Sequence, residues 1–159
     1  MVQTEARIKE LGLVLPPAPK AAANYCPMPV SGKLAYLSGH LPFDTDGKTL
    51  VATGRVGKPT GALTVDEGYA AAKQIGLNLI ATLAKELGDL DRVEKVVKLF
   101  GIVQSTDEFH EQHLVLNGCS DVMVEIFGQE RGPHARSAIG TNSLPLDTAV
   151  EIEAIVQFK

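Results

Sequence analysis

The sequence predicts an α+β sandwich, a mixed β-sheet with two helices packed on one of its faces. Three observations carry that expectation. The stretch from Thr64 to Gly88 repeats apolar residues at helical spacing, and the last stretch, from Ala149 to Phe158, alternates apolar and polar residues as a half-buried strand does. Strand-like and helix-like stretches then follow one another in the order two or three strands, helix, strand, helix, two strands.

Taken in order, Thr4 can cap a short helix over residues 5–11 that Gly12 ends, and Leu13-Val-Leu-Pro-Pro-Ala-Pro19 then runs extended. Residues 1–24 are read as an N-terminal arm and residues 25–159 as one domain. Residues 30–37, interrupted by Ser31-Gly32-Lys33, read as a hairpin that continues into Ser38-Gly39-His40-Leu41-Pro42. Residues 43–58, rich in Asp, Thr and Gly, read as loop with one short strand around 49–52. Thr64-Val-Asp-Glu67 is a capping box, and behind it Ala72, Ile75, Leu79 and Leu83 form a narrow stripe until Gly88. Ala71, Ala72 and Gly76 in that helix suit close packing. Residues 93–103 read as a buried strand, 117–127 as a second helix closed by Gly128, and 135–144 as a strand. Leu144-Pro145-Leu146-Asp147 is the turn into the final strand, which is expected beside the strand of Arg136 and antiparallel to it. The sheet face without helices still carries apolar residues, so other subunits are expected to cover it.

Composition narrows the function. With 159 residues, 45% hydrophobic and 21% charged, the chain can bury one sizeable core. Its net charge is −4 and its 15 Lys and Arg are scattered, which argues against a nucleic-acid partner. The acid-bearing N-terminus is no secretory signal, and no stretch reaches the roughly 18 apolar residues of a membrane span. A cytoplasmic location without membrane attachment is expected. Cys26 and Cys119 lie far apart in sequence and read as free thiols.

Among the residues that carry chemistry, Arg136 stands in Pro133-His-Ala-Arg-Ser-Ala-Ile139, among small and apolar neighbours at a strand start. Its planar, permanently charged fork suits a carboxylate, so it is the expected substrate anchor; the alternative is a surface arginine paired with an acid. Glu151, on the polar side of the last strand, is the expected acid beside it, with a purely structural pairing to Arg136 as the alternative. Ser137 is a candidate for a substrate oxygen, or a hydroxyl satisfied by backbone. His110 and His113 lack the His-Glu-x-x-His spacing and stand among Asp107, Glu108 and Glu111, which reads as a solvated loop rather than a metal site. Neither a GxGxxG nor a Walker loop is present, so nucleotide binding has no support in the sequence, and no Ser sits in a G-x-S-x-G elbow.

Ser38-Gly39-His40-Leu41-Pro42, Gly88-Asp-Leu-Asp-Arg-Val93, Ala135-Arg-Ser137, Leu144-Pro145 and Glu151-Ile-Glu-Ala-Ile155 together resemble, in order and spacing, the Rid (reactive intermediate deaminase) or YjgF family, from about Tyr25 to Lys159. The arm and His134 resemble a separate branch of it. The resemblance implies a chorismate-mutase-like fold in a homotrimer with clefts between subunits. It also implies cofactor-independent hydrolysis of amino-acid-derived imines and enamines to 2-keto acids and ammonia. Arg136 matches the family's carboxylate-binding Arg and Glu151 the acid that positions water. Tyr25 and Asn117 align with polar cleft residues, and Gly39 with a Gly whose backbone approaches the substrate. Two positions depart from the pattern: His40 stands where familiar members have Gln, which adds a titratable group at the cleft rim, and Ala138 where they have Cys.

Two other functions compete. A non-catalytic module binding small carboxylated metabolites would need Arg136 and not Glu151. A ribonuclease is disfavoured by the acidic balance and the lack of a basic, aromatic-lined path.

Overall fold

The structure, a computed structural model, describes residues 4–21, 23–57 and 62–159. Residues 1–3 and 22 of the arm, and Lys58 at the end of the expected loop, lie outside these. The elements are α1 (Thr4–Glu10), β1 (Val30–Ser31), β2 (Leu34–His40), α2 (Val65–Leu87), β3 (Val93–Gln104), α3 (Gln112–Arg131), β4 (Ala135–Thr141) and β5 (Val150–Phe158). One five-stranded sheet runs in the order β1-β2-β5-β3-β4. Among the strands of this sheet in the described residues, only β3 and β4 pair in parallel. A parallel pair needs a crossover, and α3 supplies it. The sandwich of a mixed sheet with helices on one face is the architecture expected.

Each helix has a local cause. The Thr64 hydroxyl accepts from the Glu67 N–H while the Glu67 carboxylate accepts from the Thr64 N–H, and Gly88 ends α2 in the left-handed region at φ 76°. Ile75, Leu79, Ile80 and Leu83 of α2 are fully buried, worth roughly 1.5–3 kcal/mol each against exposure. The small residues set how near the helices come. A Cβ on Gly118 of α3 would overlap the carbonyl oxygen of Tyr69, and one on Gly76 would overlap Val122. On the sheet, Val96, Leu99, Val103, Val150, Ile152 and Val156 complete the core beneath them.

The arm joins this core rather than trailing from it. Ile8 is buried, and Leu11, Leu13 and Leu15 pack against the same cluster. Asp91 accepts from both the Thr4 N–H (2.9 Å) and the Thr4 hydroxyl (2.5 Å), and Arg131 Nη2 donates to that hydroxyl (3.2 Å).

Three expectations change. The second helix begins at Gln112, five residues before Asn117, so His113 lies on its first turn; it also runs to Arg131, with Gly128 as a left-handed break (φ 76°) rather than its end. Residues 49–52 form no strand, only the isolated bridge Phe43–Leu50. Most consequentially, β5 is not beside β4: β3 lies between them, because the parallel β4 is laid on the far edge by the α3 crossover. No helix among the described residues is long and apolar enough to cross a membrane.

Candidate functional site

Side chains on neighbouring strands share a face when they are in register, and β3 is the ruler. Arg136 pairs with Leu99, which is fully buried on the helix side. Arg136 therefore turns toward α3. Its Nη2 donates to the His113 carbonyl (2.9 Å) and to Asn117 Oδ1 (2.8 Å), and its Nη1 donates to the Ser120 hydroxyl (2.9 Å). His113, Asn117 and Ser120 stand at i, i+4 and i+7 of α3, one helical face. His134, two residues before Arg136, has Nε2 3.0 Å from the Ser120 hydroxyl and Nδ1 2.6 Å from the Gly132 carbonyl. Burial holds the His134 imidazole below its ordinary value; the Gly132 carbonyl acts against this, and the charges of Arg136 and Lys95 add to it.

Glu151 pairs with Ile102, three residues along β3 from Leu99, so it faces the other way. A bulge in β2 between Leu37 and His40 breaks the pairing with β5. The bulge brings Gly39 so near Glu151 that any Cβ there would overlap the carboxylate oxygen Oε1. Among the described residues Glu151 has no ion pair. Burial first, and the charge of Glu153 second, push its carboxyl above the ordinary value of 4.5.

Tyr25, 46% exposed, lines a cleft with Gly39, His40, Pro27 and Phe43, and Pro19, Lys20 and Ala21 of the arm close one side of it. The cleft encloses about 30 Å³, room for a water or two. His40 is 5% exposed: its Nδ1 lies 2.6 Å from the Ser38 carbonyl and its Nε2 2.7 Å from the Thr82 hydroxyl. A carbonyl only accepts, so Nδ1 carries the proton and Nε2 accepts from Thr82. With burial lowering its pKa, outweighing the Ser38 carbonyl, the ring is a neutral core group spanning β2 and α2.

The structure thus gathers the expected residues into two groups. Arg136 and Asn117 are together, and Gly39 stands against Glu151 with Tyr25 in the cleft beside Gly39, but Arg136 and Glu151 turn to opposite faces of one chain's sheet. Arg136 and Glu151 are not on adjacent strands, and no pairing between them neutralises either. Ser137 follows Arg136 in the strand and so points to the opposite face, where it is exposed. That face also carries Tyr36 at 40% and Ile139 at 46% exposure. Ser120 and His134 were missed by sequence reasoning, although the i, i+2 spacing of His134 to Arg136 and the i, i+3 spacing of Ser120 to Asn117 were there to be read. Among the described residues, Glu5, Asp89 and Asp91 bring carboxylate oxygens within 4.8 Å of one another. That acidic cluster stands where the arm docks, and Asp91 is already engaged by Thr4.

Comparison with known proteins adds the following. The family described as "YjgF/chorismate mutase-like, putative endoribonuclease" matches residues 5–156. Protein TCP17 of Trypanosoma cruzi is 43% identical over 152 residues, 96% of this chain and 92% of that protein. The crystal structure of Atu1372 from Agrobacterium tumefaciens, 42% identical, superposes with a TM-score of 0.86 over 98% of this chain and 92% of its own. RidA of an Antarctic Psychrobacter is 26% identical with a TM-score of 0.58, covering 89% of this chain and 94% of that one.

Proposed function

Because the chain belongs to the YjgF/Rid family, we propose that it hydrolyses 2-imino acids, the tautomers of amino-acid-derived enamines, to 2-keto acids and ammonia. The observation that carries this reading is Glu151: a half-buried carboxylate without an ion pair among the described residues, raised in pKa and pressed against the backbone of the Gly39 bulge. A carboxylate so placed is a better base than one in water. In the reaction Glu151 accepts a proton from water as the water oxygen bonds to the carbon of the protonated imine and the C=N π pair moves to nitrogen, giving a carbinolamine. That proton then goes to the carbinolamine nitrogen, and as the C–N bond breaks the hydroxyl proton returns to Glu151, the C=O forms and ammonia leaves. Arg136 holds the substrate carboxylate, and positioning supplies the rest of the rate. Of its five N–H groups, Asn117, the His113 carbonyl and Ser120 take three, leaving Nε–H and one on Nη1.

The two half-sites on opposite faces support a composite cleft, in which the β4 edge of one subunit meets the Gly39 and Glu151 face of another. A homotrimer does this three times and covers Tyr36 and Ile139. The small volume of the Tyr25 cleft within one chain supports the same reading, since a substrate of several heavy atoms needs walls from elsewhere.

The test is the rate of 2-keto acid release from imines generated in situ by an amino-acid oxidase. Wild type accelerates it, and Arg136→Ala and Glu151→Ala both lose the acceleration. If wild type accelerates no imine, the remaining reading is a carboxylate-binding module.

A further inference from the structure

With the His134 ring neutral, as its burial favours, the hydrogen bonds around Arg136 have a direction that only one arrangement of protons satisfies. The Gly132 carbonyl can only accept, so His134 Nδ1 carries the proton at 2.6 Å and Nε2 is left bare. A bare Nε2 must accept, so the Ser120 hydroxyl donates to it at 3.0 Å. Having spent its single proton there, the Ser120 oxygen can offer Arg136 Nη1 nothing but a lone pair, at 2.9 Å. The chain from Gly132 through His134 and Ser120 to Arg136 is therefore polarised toward the guanidinium.

We propose that Ser120 and His134 are positioning residues for Arg136, fixing the rotation of its guanidinium and so the direction in which its remaining N–H groups are offered to a carboxylate. The inference rests on the reading of Arg136 as the carboxylate anchor. Without the Ser120 lone pair, the Asn117 and His113 acceptors hold only Nη2, and the plane can swing about that end. Nε–H and the free Nη1–H then no longer keep one orientation, and substrate binding weakens. The chemical step, governed by Glu151 on the other face of the fold, is left almost alone.

The spacing is built for this task. His134, just before β4, and Arg136 on it are i, i+2, Asn117 and Ser120 are i, i+3 on one helix face, the β3–β4 register turns Arg136 toward that face, and His134 reaches Ser120 there. A hydroxyl placed for helix packing alone would not need an imidazole of fixed tautomer behind it.

The experiment joins kinetics with nitrogen-15 NMR of the arginine side chains, on full-length wild type, Ser120→Ala, Ser120→Thr, His134→Ala and His134→Gln, with thermal melts as the check on folding. Expected in Ser120→Ala and His134→Ala is a KM for imine raised about tenfold, with kcat changed by no more than about twofold. Ser120→Thr, which keeps the hydroxyl, and His134→Gln, which keeps an acceptor, recover most of the loss. Rotation about the Arg136 Nε–Cζ bond is slow in wild type and fast in both alanine variants. Wild-type KM in Ser120→Ala, or a Ser120→Thr as impaired as Ser120→Ala, overturns the proposal. A wild type that turns over no imine sinks the deaminase reading alone. The NMR arm then decides the positioning: unchanged Arg136 rotation in the alanine variants overturns it, and faster rotation supports it.

Discussion

Glu151 and Gly39 form a unit that single substitutions can separate into stability and activity. The folded-state pKa of Glu151 lies above its unfolded value, so the folded protein binds that proton more tightly. Stability therefore falls as pH rises from the unfolded value through the folded one, and the deficit stays constant above both. Glu151→Gln removes the ionisation: urea midpoints are expected to be higher than wild type at pH 7 and nearly equal at pH 3, with imine hydrolysis abolished. In wild type, kcat/KM should fall on acidification with an apparent pKa above 4.5. An acid limb at or below that value would mean that Glu151 is not the base. Gly39→Ala forces the carboxylate off the bulge. The side chain is flexible, so we expect a stability cost under about 1 kcal/mol with loss of most activity. Full activity in Gly39→Ala would show that the close approach has no part in the reaction.

Among the elements, the crossing of α2 and α3 tolerates least. Gly118 has only backbone where a Cβ would go, the Tyr69 carbonyl and the Lys73 N–H, and backbone cannot move aside without shifting a whole helix. Gly118→Ala is expected to cost about 2–3 kcal/mol or more by chemical denaturation. Thr64→Ala, which removes the cap hydroxyl of α2, costs about 1 kcal/mol; equal costs would contradict the backbone overlap. The arm behaves differently, as it is tied by a few polar bonds over a small apolar patch. The Thr4 hydroxyl, and then the Thr4 N–H, hold Asp91 below its ordinary value of 3.8. That contribution is present above 3.8 and is lost as pH falls through the lower folded value. Hydrogen exchange in α1 should accelerate in Asp91→Ala at pH 7 while α2 stays protected. Uniform acceleration would mean that arm and core unfold as one.

For the whole molecule, the sheet face away from the helices is the open question, and mass in solution answers it. Tyr36 and Ile139 are 40% and 46% exposed on a single chain, with Phe100, Ile102 and Ile155 half-buried between them. Light scattering is expected to give three copies. Ile139→Glu, which puts a charge in that face, should give a folded monomer without imine hydrolysis, because each site then lacks half of its residues. A monomeric wild type, or an active Ile139→Glu monomer, would end the composite-cleft reading.

Local order was legible without coordinates. The Thr64 capping box, the stripe through Ile75, Leu79 and Leu83, and the alternation of Val150, Ile152, Ala154 and Val156 each arise from neighbours in sequence, and each became the expected element. The start of α3 was less legible, since Glu111 makes no side-chain cap and the first turn, at Gln112 and His113, is polar. Arg136 and Glu151 were candidates from the chain alone because their chemical types stand out among their neighbours, and Gly39 and Asn117 became candidates through the resemblance to the Rid family. What the sequence could not determine was which of them meet. The parallel pairing of β4 with β3 is a choice among strand orders of similar local merit, made by the packing of α3 across the sheet. That choice put β3 between Arg136 and Glu151 and turned them to opposite faces. It also brought Ser120 and His134 to the guanidinium and sent Ser137 away from it. Periodicity assigns a side chain to a face of its own strand, but only long-range packing decides which strand lies next to it.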